Sequence, residues 1–185
     1  MSGTLKPYTM ITDFVTGREI PNIGAEENRQ AVTQYLVHEK GYSKADIEMD
    51  VNIELAIAGE HYHSQVDLVI KANDAGLPVM VIKCAAGSLG SREREIVAAA
   101  RLLENYPIPY AVVSDGKTAV VLDTVSGKKT GEGMAAIPSK AAAIRLLDAY
   151  RPIALPTDRQ EREKLIFRTY DSENVNVQRK LNPPL

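Results

Sequence analysis

His61, His63, Gln65 and Asp67 alternate along one strand-like run, so all four side chains fall on one face of it. A histidine and a carboxylate on one face can share a metal ion, which leaves a His63/Asp67 pair open beside the simpler reading of two surface histidines near a turn. Lys83 lies in a later run that is apolar on both faces, Pro78 to Cys84, where an ammonium needs a partner or loses its proton. By alternation Lys83 shares a face with Val81 and Ala85, bordering Asp67; Asp67 and Glu26 are the partners expected there. Cys84, the only cysteine, then points to the opposite face and reads as a buried, inert thiol. Ala86-Gly87-Ser88-Leu89-Gly90-Ser91 is glycine-rich but lacks the Lys-Ser/Thr of a phosphate-binding loop, so it reads as a strand-to-helix connection.

The elements that must position these residues follow from periodicity. Thr16-Gly17 supplies a turn for a short hairpin between about Tyr8 and Ile20. Val32, Tyr35 and Leu36 recur at helical spacing, with Glu26 and Glu27 in the first turn and Gly41 as a stop, which predicts a helix from Ala25 to Lys40. Runs from Ile47 to Ile57 and His61 to Ile70 flank Ala58-Gly59-Glu60 and predict a hairpin, and Pro78 to Cys84 predicts a central strand. Ser91 is placed to cap a helix running to Tyr106 before Pro107. Tyr110 to Val113 and Thr118 to Leu122 predict two more strands around Asp115-Gly116. Ser139 is placed to cap a helix to Tyr150, and Thr157-Asp158-Arg159-Gln160 has capping-box spacing for a last helix before a polar tail from Ser172.

The order of helix, three strands, helix, two strands predicts an α/β fold with a mixed sheet flanked by helices. We divide the chain into an extension or hairpin at 1–24, a core at 25–150, and a C-terminal helix and tail at 151–185. With 185 residues, 44% of them hydrophobic and 25% charged, the chain suits one globular domain rather than a disordered one. A single cysteine, no apolar leader and no long apolar run predict a cytoplasmic protein without a membrane span. The formal charge of −2 lacks the basic excess of a dedicated nucleic-acid coat protein. Its basic clusters, Arg92 with Arg94, Lys128 with Lys129, and Arg159, Arg162 and Lys164, each suit a solvated surface.

Four segments, in order, resemble the N-terminal domain family of type I restriction enzyme R subunits, in the restriction-endonuclease-like (PD-(D/E)XK) superfamily. They are Glu26-Glu27-Asn28-Arg29-Gln30 with Tyr35-Leu36 and Gly41-Tyr42; Gln65-Val66-Asp67-Leu68-Val69-Ile70; Val81-Ile82-Lys83-Cys84-Ala85; and Pro109-Tyr110-Ala111-Val112-Val113-Ser114-Asp115-Gly116. The likeness covers roughly Ala25 to Lys129. It implies a restriction-endonuclease-like fold and a DNA-related role. In that family an aspartate and a glutamate on adjacent strands hold Mg²⁺, and a lysine two residues after the glutamate positions or activates water for phosphodiester hydrolysis.

Asp67 matches the family aspartate, whereas Lys83 stands at the glutamate position and Ala85 at the lysine position. A protonated lysine about 4 Å from a divalent ion repels it by roughly 8 kcal/mol at an effective dielectric near 20. The resemblance therefore implies a degenerate or rearranged site in which the Lys83 ammonium stands in for the metal. In a rearranged site Asp67, Lys83 and Glu26 would be catalytic and Asp67, Glu93 and Glu95 would hold Mg²⁺. Arg29 and Gln30 on the first helix and Arg92 and Arg94 at the start of the second are the candidate DNA contacts; Glu26, Arg29, Gln30 and Thr33 share a polar helix face. The alternatives are an active Mg²⁺-dependent deoxyribonuclease with migrated carboxylates, or a nuclease-derived scaffold for protein partners or self-association.

Overall fold

The computed structural model describes residues 8–72, 75–151 and 153–172. In chain order these form β1 (Met10–Thr12), β2 (Glu19–Pro21), α1 (Glu26–His38), β3 (Ile47–Ile57), β4 (Glu60–Lys71), β5 (Pro78–Cys84), α2 (Glu93–Leu102), β6 (Tyr110–Ser114), β7 (Ala119–Asp123), β8 (Lys129–Glu132), α3 (Lys140–Ala149) and α4 (Thr157–Ser172). β1 and β2 pair as a separate antiparallel ribbon, and the main sheet has the order β3-β4-β5-β6-β7-β8. Only β5 and β6 run parallel, joined by the crossover through α2, so the α/β class and the mixed sheet predicted from the sequence are those observed.

Both faces of the sheet are covered, which is why all seven residues of β5 are buried. Ile82 and Cys84 pack with Val32 and Leu36 of α1 and with Ala143 and Leu147 of α3. Val81 and Ala85 pack instead with Ile96 and Ala99 of α2 and Phe167 of α4. From Met80 on, β5 thus sends Val81 and Lys83 to the α2/α4 side and Met80, Ile82 and Cys84 to the α1/α3 side, while Val79 at its start belongs to the α1/α3 cluster. Along β3 the inner half, at Ile47 and Met49, belongs to the α1 side, and Ile53, Leu55 and Ile57 to the other. The change falls beside Asp50, which has a φ of 51°.

The ribbon is fastened to α1 by buried Asp13, whose carboxylate accepts hydrogen bonds from Gln30 Nε2 (2.9 Å) and Thr16 N (2.6 Å). These bonds hold its pKa below the ordinary aspartate value although burial pushes the other way.

Several predicted boundaries shift. The second helix is shorter than Ser91 to Tyr106, spanning Glu93–Leu102 after a 3₁₀ turn at Gly90–Arg92. Ser91 does not cap it, because its hydroxyl donates back to Ser88 O. Thr157 is already inside α4, and the Gln160 side chain donates to Leu155 O rather than closing a capping box. β8 has no counterpart in the predicted elements. Ser139 does cap α3, accepting from Ala142 N. Most of the predicted tail, 173–185, lies outside the described residues.

A buried carboxylate and lysine cluster

The register Leu68↔Ile82 and Val69↔Val81 carries Asp67 opposite Lys83. Asp67 Oδ2 accepts the Cys84 backbone N–H at 2.8 Å, which fixes the carboxylate against the end of β5. Lys83 Nζ lies 3.7 Å from Asp67 Oδ2 and 3.2 Å from Glu95 Oε1. Glu95 reaches it from the first turn of α2, packed on the same face of the sheet. Its other oxygen, Oε2, is 3.1 Å from Arg92 Nη1, and the same Arg92 nitrogen donates to Tyr170 O of α4. The Lys83 and Glu95 side chains are 5% and 3% exposed, so the pair is shielded from water.

α4 completes the enclosure. Tyr62 OH donates to Asp171 Oδ2 at 2.6 Å, while Asp171 Oδ1 and Ser64 Oγ are buried without a partner among the described residues. Three carboxylates, from Asp67, Glu95 and Asp171, therefore surround two cations, Lys83 and Arg92. Burial works to lower the Lys83 pKa, but the Asp67 and Glu95 carboxylates outweigh it and the amine is held above its ordinary value. Glu95 is pushed up, by burial first, and the Lys83 and Arg92 cations offset this only in part. Cys84 is fully buried on the other face, and burial raises its thiol pKa well above the ordinary value, in keeping with an inert thiol.

Glu26 is not a partner of Lys83, contrary to expectation. Lys83 faces α2 and α4, whereas α1 lies across the sheet, where Arg29 holds Glu26 through Nε (2.9 Å) and Nη2 (2.9 Å). Arg29 Nη1 also reaches Asp50 Oδ2 at 2.9 Å, and Gln30 bonds Asp13, Glu26 and the Phe14 N–H. The polar face of α1 exists as predicted but is covered, with Arg29 and Thr33 5% and 0% exposed. Glu93 turns away from the cluster and lines a groove with Arg94, Arg101 and Arg159. His63 is exposed and sits 3.7 Å from Glu54 across the hairpin.

A Mg²⁺ site of the usual pattern does not fit these residues: the second carboxylate position carries an ammonium, and Ala85 cannot supply the water-activating lysine. Among the described residues no group of three or more His, Cys, Asp or Glu side chains is arranged to hold a metal. Asp171, Tyr62 and Ser64 escaped the sequence reading because α4 docks from about a hundred positions away with no local signal at either end.

An α/β domain with a mixed sheet and helices on both faces is consistent with a nuclease-like fold. The family described as type I restriction enzyme R protein N terminus (HSDR_N) matches residues 24–138, and the chain belongs to it. No curated protein and no solved structure matches the chain. α3 and α4 lie beyond the matched span, so α4, which completes the enclosure of Lys83 and Glu95, comes from residues outside it. Among the described residues no helix is long and apolar enough to cross a membrane.

Proposed function

We propose that this domain is a DNA-associated member of the nuclease fold that binds without metal-dependent cleavage, the Lys83 ammonium standing in for the metal. The family supports the DNA association. The observation that carries the rest is the contact of Lys83 Nζ with both Asp67 and Glu95 in a water-shielded cluster. A cation fixed there by two carboxylates neutralises the charge that would otherwise attract Mg²⁺.

One observation favours a second reading. Glu95, rather than Glu26 or Glu93, joins Asp67 at the Lys83 ammonium, so two carboxylates and a lysine are together again in rearranged order. In that reading the chain is a Mg²⁺-dependent deoxyribonuclease with a migrated glutamate.

Anisotropy of labelled duplex DNA, paired with a cleavage assay in Mg²⁺ and Mn²⁺, separates the readings. Salt-sensitive binding without cleavage is expected. Cleavage abolished by Glu95→Gln would establish the second reading, and no binding even at low salt would point to a scaffold for protein partners.

A further inference from the structure

Arg94 and Arg159, from two basic clusters that are far apart in the sequence, line one groove. α2 presents Glu93, Arg94, Val97 and Arg101 along one side, and α4 presents Arg159, Glu163 and Ile166 along its facing side. Between them lies a groove of about 340 Å³, closed at one end by the β7–β8 turn at Ser126 and Gly127. Arg94 comes from the cluster with Arg92, and Arg159 from the cluster with Arg162 and Lys164.

The side chains here divide into fixed and available charge. Arg101 is locked: its Nε donates to Thr124 O at 2.7 Å and its Nη1 to Glu163 Oε1 at 2.5 Å, so this pair is self-neutralised and forms the wall. Arg159 Nη2 reaches only Val125 O, at 3.3 Å, and Arg94 is exposed with no hydrogen bond or ion pair among the described residues. Glu93 alone opposes them, which leaves a net charge of about +1 in the groove of a chain whose overall charge is −2. Guanidinium forks match phosphate oxygens in geometry as well as charge.

We infer that this groove is a phosphate-binding site, engaging the backbone of the DNA through Arg94 and Arg159 on the side of α2 away from the Lys83 cluster. The inference deepens the DNA-associated reading and rests on it for the source of the phosphate. The chemistry is shared with free phosphate anions, which the test separates.

Duplex DNA binding is measured by anisotropy over a salt series for the intact chain, Arg94→Ala/Arg159→Ala and Glu93→Gln, with pyrophosphate binding followed by calorimetry. The double variant should lose at least tenfold in affinity and show a salt slope shallower by about two, at about 0.9 per lost phosphate contact. Glu93→Gln should bind more tightly. DNA binding left intact in the arginine double variant overturns the groove while sparing the DNA-associated reading. Pyrophosphate binding that needs both arginines, without DNA binding, upholds the groove as a site for free phosphate anions and overturns its DNA assignment. Binding of neither overturns the groove altogether.

Discussion

Lys83 Nζ lies 3.2 Å from Glu95 Oε1, with both side chains almost wholly shielded from solvent. Such a pair adds little net stability when intact, but removing one partner leaves an uncompensated charge in a poorly hydrated site. Lys83→Ala should therefore lower the unfolding free energy by about 3 kcal/mol, as it strands Glu95 and Asp67 together. Adding Glu95→Gln should recover part of that loss, because coupled neighbours are not additive. Urea unfolding of the single and double variants measures both effects.

The same cluster sets an alkaline limit. The folded-state pKa of Lys83 is raised above its ordinary 10.5, so its stabilising contribution is fully present below that value and is lost as pH rises through the folded pKa. Wild type minus Lys83→Met stability should thus shrink as pH rises above about 10.5. Chemical denaturation across that range measures it.

Gly116, in the turn between β6 and β7, has a φ of +83°, and a Cβ there would lie 2.9 Å from Ala31 Cβ and 3.2 Å from Asn28 O of α1. Asn28 Nδ2 in turn donates to Ala85 O at 2.6 Å, tying α1 to the end of β5. Gly116→Ala combines a left-handed backbone with overpacking and should cost about 2–4 kcal/mol. Thermal melts check the loss, and hydrogen exchange should place it at the α1 contact.

The sheet was legible because β5, β6 and β7 carry near-continuous apolar runs, β3 and β4 alternate, and the hairpins carry glycine turns. β8 was not, since Lys129-Thr130-Gly131-Glu132 is polar and largely exposed and owes its strand to pairing with β7. For the site, alternation sufficed to set Lys83 against Asp67. Choosing between Glu26 and Glu95 required knowing which helix covers the face of β5 that carries Lys83. Both helices begin with paired acidic residues, so local sequence does not distinguish them; only packing does. Arg29 looked like a DNA contact for a similar reason, because a helix face of polar residues reads the same whether water or Asp50 completes it.

Calorimetric titration of the folded chain with Mn²⁺ tests most directly whether the Lys83 ammonium holds the metal's position. Wild type should show no saturable binding at Asp67, and Lys83→Glu, checked for folding by circular dichroism, should gain binding that a further Asp67→Asn removes. Saturable Mn²⁺ binding by the wild-type chain, abolished by Asp67→Asn and by Glu95→Gln, would contradict it.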